Sequence, residues 1–294
     1  MEGTVLYDGK GNPFIMRGIN HAHTWYKNQR DIALEAIAAT GSNTVRIVLS
    51  DGQQWQKDDA ASVKAIIKKC KELKLIAVLE VHDITGNNSL EALDQTVDYW
   101  TGLKDVLIGN EPYVIINIAN EWYGNWNSDI WAEGYMAAIP KLREAGLTHT
   151  IQVDSAGWGQ YAKSVTDRGK DIFEADPLKN TMFAIHMYEY AGKDAKTIKA
   201  NIDNVQALGL CVIIGEFGQK HTGGDVDEGY ILSYCEEIGV GYLGWSWKGN
   251  SGGVEYLDIA KDWRGTKLSQ DWGEILINSE YGIRNTSKPC SIFE

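Results

Sequence analysis

Short apolar runs alternate with longer stretches in which apolar residues recur every three or four positions. The runs cover Phe14 to Ile19, Thr44 to Leu49, Leu75 to Val81, Tyr113 to Ala119, Thr150 to Val153, Met182 to Met187, Leu210 to Ile214 and Tyr242 to Trp247. Continuous Val, Ile and Leu of this length is the pattern of strands buried on both faces of a parallel sheet. Between them, Asp31 to Ala39 places Ile32, Ala36 and Ala39 on one helical face. Asp58 to Leu73 places Val63, Ile66, Ile67 and Cys70 there, with Lys64, Lys68 and Lys71 outward. Asp129 to Ala145 and Ala195 to Leu208 behave alike, and Gly146 and Gly209 read as helix stops. The strand starts fall about 30 residues apart, the length of one strand–helix unit. Eight such units predict an α/β fold of the (β/α)8 TIM-barrel type, preceded by a short β-hairpin over Thr4 to Pro13. No linker or change of composition interrupts residues 1–294, so a single catalytic barrel domain is expected.

Composition changes this picture at a few points. The net charge of -12 speaks against a nucleic-acid partner, which would call for a basic face. No run is long and apolar enough to cross a membrane, so none is expected as a partner. No charged-then-apolar leader follows Met1, which reads as a mature secreted domain with an added methionine. Cys70, Cys211, Cys235 and Cys290 have no CxxC spacing; they read as buried free thiols, with one disulfide left open. Against only 5 Phe stand 11 Trp and 14 Tyr, residues that join a flat apolar face to a polar edge, as stacking on sugar rings requires.

The chemistry sits at strand ends. Two apolar runs finish in a glutamate: Val114-Ile115-Ile116-Asn117-Ile118-Ala119-Asn120-Glu121 and Leu210-Cys211-Val212-Ile213-Ile214-Gly215-Glu216. In a barrel, strand C-termini form the active face, and two carboxylates delivered there are the equipment of glycoside hydrolysis. Asn110-Glu111-Pro112 precedes its strand, so Glu111 belongs at the opposite rim. Arg46 lies inside an apolar run, where an unpaired charge is costly. His82 ends the third run, and His186 and Tyr188, two apart, face one side of the sixth. Of Trp245 and Trp247, one must face the barrel interior and the other its helix layer. His23 and Trp25 follow the first run.

In chain order these residues are Arg46, His82, Asn120-Glu121, His186-Met187-Tyr188, Glu216 and Trp245. The order resembles glycoside hydrolase family 5 over roughly Thr4 to Gly282. Trp122 stands where the family usually has proline. The strings Asn120-Glu121-Trp122-Tyr123-Gly124-Asn125-Trp126, Asp154-Ser155-Ala156-Gly157-Trp158-Gly159-Gln160 and Trp245-Ser246-Trp247-Lys248-Gly249-Asn250 are similar to its bacterial endo-β-1,4-mannanase branch. The resemblance implies a retaining enzyme that cuts internal bonds of mannan, galactomannan and glucomannan. Glu216 would be the nucleophile and Glu121 the general acid and base. Arg46 would keep Glu216 ionised and Tyr188 would donate to it. Asn120 would bond the sugar 2-hydroxyl, and His186 would orient Glu121. Trp245 would floor the attacked sugar, with His23, Trp25, His82, Trp122 and Trp158 binding substrate around it. Neither cofactor nor metal is expected, and the enzyme is expected to act as a monomer on β-mannans and manno-oligosaccharides. An endo-β-1,4-glucanase would use the same residues. A carbohydrate-binding protein without catalysis would not need both glutamates.

Overall fold

The computed structural model describes residues 1–294. Eight parallel strands close into a barrel: β1 (Arg17–His21), β2 (Thr44–Leu49), β3 (Ile76–Val81), β4 (Val114–Asn117), β5 (Thr150–Asp154), β6 (Thr181–Met187), β7 (Val212–Phe217) and β10 (Gly241–Gly244). The two remaining strands, β8 (Lys220–His221) and β9 (Gly224–Asp225), form an antiparallel ribbon after β7. Strand boundaries differ from the sequence reading by a few residues. β10 ends at Gly244, so Trp245 and Trp247 lie just beyond it. Three further helices, Leu90–Gly102, Ala162–Ala175 and Glu228–Ile238, complete the ring. The last unit is irregular, with the short helix Gly273–Asn278. At the N-terminus Glu2 and Val5 bridge across one tight turn, and an antiparallel bridge between Tyr7 and Pro13 closes the turn before Phe14.

Alternation along the strands divides the barrel interior into two zones. A cluster including Ile76, Val78, Ile115, Met182, Ala184, Ile213 and Leu243 fills its lower part, capped from below by Leu6 and Met16. One step of two further along each strand, the same face turns polar: Glu80 after Val78, Asn117 after Ile115, His186 after Ala184. The lower zone stiffens the barrel and the upper zone carries charge. The much larger apolar cluster, 68 residues, lies between strands and helices and supplies most of the apolar burial. Glu111 sits at the lower rim, where both its oxygens accept from the Gly109 amide. All four cysteines are buried and free.

Candidate active site

The polar zone is organised around Arg46, which is fully buried. A guanidinium has five N–H donors, and here each has a partner. Nε donates to Asn117 at 2.9 Å. Nη1 donates to Asn20 at 3.0 Å and to Glu216 Oε1 at 2.7 Å. Nη2 donates to Asn120 at 2.6 Å and to Asp154 at 3.3 Å. Burial opposes the charge, but the carboxylates of Glu80, Asp154 and Glu216 outweigh it and raise the pKa of Arg46 above its ordinary value.

Glu216 is 4% exposed on β7 and receives a second hydrogen bond from the Tyr188 hydroxyl, at 2.9 Å on Oε2. Its approach to β6 depends on an irregularity. Ile185 pairs with Ile214, but His186 pairs with Glu216, so one residue of β7 is skipped. A bulge of this kind re-aims side chains. The skipped residue is Gly215, where a Cβ would stand 3.0 Å from both Ala184 Cβ and His186 Nε2.

Glu121 arrives differently. It lies past the end of β4, in the left-handed region at φ 47°. Few residues other than glycine adopt that conformation, and such strain concentrates at functional sites. The turn is held by the Glu121 amide donating to Asp154 at 3.1 Å and by the Glu121 carbonyl accepting from Gly86. His186 Nδ1 lies 2.7 Å from Glu121 Oε1. Gly159, at φ 71°, packs so closely on the other side that a Cβ there would meet His186 Cγ at 2.6 Å. Burial disfavours an imidazolium, but Glu216, Asp154 and Glu121 outweigh it and raise the pKa of His186 to about 9. His186 thus donates its proton toward Glu121 at neutral pH. Because about 9 exceeds the 6.5 of an unperturbed histidine, the charge contributes stability that is complete below pH 6.5 and lost as pH rises through 9. NMR titration of the ring should give a midpoint near 9, and Glu216→Gln should bring it down toward 6.5. An unchanged midpoint in that variant would mean that Glu216 is not what holds the proton.

Glu121, His186 and Glu216 each bring one atom within 4.8 Å of the others, close enough to be considered as metal ligands. The local charge argues otherwise. Arg46 donates directly to Glu216, so a cation there would lie against a buried guanidinium.

Above these groups lies an open groove of about 1110 Å³. At one end, Trp245 stacks on His82 at 5.7 Å, and Trp25 meets His82 edge-on at 5.1 Å. His82 Nδ1 is 2.9 Å from Glu80, and Asn120 donates to Thr85 beside it. Trp158 also lines the groove, 49% exposed, with its ring against Gly86. Glu121, Glu216, Asn120, Tyr188, His82, Trp25, Trp158 and Trp245 therefore line one groove, with Arg46 and His186 directly beneath.

Two expected sugar-binding residues are elsewhere, and both readings are corrected. Trp122 is fully buried: its indole donates to the Ser89 carbonyl and meets Tyr135 edge-on. The left-handed turn at Glu121 sends the next side chain into the helix layer, against Gly134. His23 is 1% exposed, with Nε2 3.3 Å from the buried Asp58. It heads a one-turn helix, His23–Trp25, that directs Trp25 outward and His23 inward. Conversely, Trp126 and Tyr190 line the groove, 49% and 58% exposed, without having been singled out. Asn20, Glu80, Asn117 and Asp154 also had no assigned role. Their signal was the one used for Arg46, a polar residue within or just after an apolar strand.

The chain matches the family described as Cellulase (glycosyl hydrolase family 5) over residues 7–251. It is 57% identical over 293 residues to a mannan endo-1,4-beta-mannosidase of Salipaludibacillus agaradhaerens, covering 100% of this chain and 95% of that protein. With a protein of the same description from Cellvibrio japonicus the identity is 42%, covering 100% of this chain and 69% of the relative. The solved mannohexaose complex of Thermomonospora fusca beta-mannanase superimposes with a TM-score of 0.94 at 42% identity, covering 100% of this chain and 98% of that one.

Proposed function

The chain belongs to glycosyl hydrolase family 5, and from that premise we propose that it is a retaining endo-β-1,4-mannanase in which Glu216 attacks and Glu121 transfers the proton. One observation carries the mechanism. Glu216 is fixed by Arg46 and Tyr188, and one of its oxygens lies within 4.8 Å of an oxygen of Glu121. Retaining enzymes hold their carboxyls ~5–5.5 Å apart, whereas inverting enzymes leave ~6.5–9.5 Å for an intervening water.

In the first step Glu216 attacks the anomeric carbon. The glycosidic bond breaks, and Glu121 gives its proton to the departing oxygen. In the second, Glu121 takes a proton from water, the water oxygen attacks the same carbon, and Glu216 leaves. His186 orients Glu121 and keeps a proton beside it. Arg46 also orients Asn120: it occupies the side-chain carbonyl, Thr85 takes one amide N–H, and the other, beside His82 at the groove, is left to meet the sugar 2-hydroxyl. Trp245, stacked on His82, floors the attacked sugar, while Trp25 and Trp158 serve sugars further along. A groove running past both glutamates suits internal cleavage of a polymer. Because such a polymer is external to the cell, we place the enzyme there, acting as a monomer. No helix of the structure is long and apolar enough to cross a membrane.

Mannose differs from glucose by an axial 2-hydroxyl. Stacking tryptophans bind either sugar, so discrimination falls to the polar groups around Asn120 and His82. Locust bean gum and konjac glucomannan should be cut internally into short oligosaccharides. Carboxymethylcellulose should be cut at least about 100-fold more slowly, since a site bonded to one epimer leaves its polar groups unpaired with the other. Reducing-sugar release from the substrates side by side decides this, and comparable cleavage of carboxymethylcellulose would make the enzyme a glucanase.

A further inference from the structure

The β8–β9 ribbon reaches the ring of Tyr188, the donor to the nucleophile, yet none of its residues has a part in the mechanism above. Tyr188 is one residue beyond β6, where the sheet no longer holds it, and its hydroxyl must stay aimed at Glu216. The imidazole of His221, on the ribbon, lies against the Tyr188 ring with centroids 4.8 Å apart and planes 35° apart. His221 is itself held. Its Nδ1 lies 3.0 Å from Glu189 Oε2, and Glu189 is the residue that follows Tyr188.

The ribbon is pinned at several further points. A Cβ on Gly223 would stand 2.9 Å from Glu189 Cγ, so the turn rests directly on that side chain. On its other side the Lys220 ammonium lies 4.6 Å over the Tyr256 ring, and Gln219 donates to the Tyr256 carbonyl. The returning chain is tied by the Asp227 amide to Gly192.

We infer that this ribbon is a positioning element for the nucleophile: His221, clamped by Glu189, fixes the ring of Tyr188 and so the hydrogen bond that Tyr188 gives to Glu216. The inference rests on the assignment of Glu216 as nucleophile. Losing the clamp would leave substrate binding nearly intact and slow formation of the glycosyl-enzyme, because a misplaced donor weakens the hold on the attacking carboxylate.

The test is covalent labelling of the full chain by 2-deoxy-2-fluoromannosyl fluoride, followed by intact mass and peptide mapping, with steady-state kinetics on an aryl β-mannobioside. His221→Ala should slow labelling about 10- to 100-fold, the scale of a small misplacement of a reacting group. KM should move by less than about threefold, since the loss is in the transition state. His221→Phe, which keeps a ring against Tyr188, should restore most of the rate. In a Tyr188→Phe background His221→Ala should add no more than about twofold, because both changes remove one interaction. Glu189→Ala, which frees the imidazole without deleting it, should follow the same cycle and carries the test if His221→Ala does not fold. Equal slowing in the Tyr188→Phe background, an effect on KM alone, or no effect would overturn the inference. A label on a residue other than Glu216 would overturn the nucleophile assignment instead.

Discussion

Glu216→Ala should abolish mannan hydrolysis, with kcat falling on the order of 10⁴-fold or more, the scale seen when an enzyme loses its nucleophile. Glu121→Ala should be comparably damaging on mannan, where the leaving group needs a proton, but mild in the first step on an aryl glycoside that does not. Azide separates the two roles. In Glu216→Ala it can enter on the face vacated by the carboxylate and attack the intact substrate once, giving an α-glycosyl azide. In Glu121→Ala the glycosyl-enzyme still forms on Glu216, azide displaces it from the opposite face, and the product is a β-glycosyl azide. The surroundings of the two glutamates differ. Both oxygens of Glu216 accept hydrogen bonds, from Arg46 and Tyr188, which holds it in place to attack, while Glu121 is bonded through one oxygen, to His186, and keeps the other for the leaving group. The reverse pair of anomers in the NMR spectra of the products would nonetheless show that the assignments are exchanged.

Arg46→Met should cost both stability and turnover. The substitution fits the volume but leaves Glu216, Glu80 and Asp154 in a buried space without their shared guanidinium, with only His186 near Asp154 and Glu216. Breaking a buried pair by removing one partner typically costs ~3–5 kcal/mol. The deficit should shrink on acidification, because protons neutralise the carboxylates left unpaired. Turnover should fall with it, since Asn120 and Glu216 lose a shared anchor. Arg46→Lys should be intermediate in stability, because one ammonium keeps the charge but cannot serve acceptors spread around a planar fork. Urea titrations at two pH values, with kcat on a soluble mannan, measure both effects. A variant as stable and as active as the parent would show that the polar zone does not depend on its central cation.

Much of the site was legible because buried charge is costly and therefore conspicuous. Arg46 in an apolar run, and Glu121 and Glu216 at the ends of two others, stand out against their neighbours. By the same rule Asn117, Glu80 and Asp154 could have been picked out, and their period-two spacing from Ile115, Val78 and Gln152 would have put them on the inner face. His23 and Trp122 misled because they are polar-edged residues next to functional ones. Nothing in a linear string tells which way a side chain leaves a loop.

The sequence by itself determined the barrel, its active rim and the residues that bring charge there. Strand period, strand spacing and the position of a carboxylate at a strand end are one-dimensional quantities, and they survive folding unchanged. Only the tertiary structure decided how those residues meet. The bulge between β6 and β7 brings His186 level with Glu216, and a left-handed residue turns Glu121 toward the groove while sending Trp122 away. Arg46 finds partners on β1, β4 and β7 and just beyond β4, and the ribbon after β7 reaches back over Tyr188. Those contacts join positions far apart in the chain through local departures from regular geometry. Periodicity describes regular geometry, so it cannot register them.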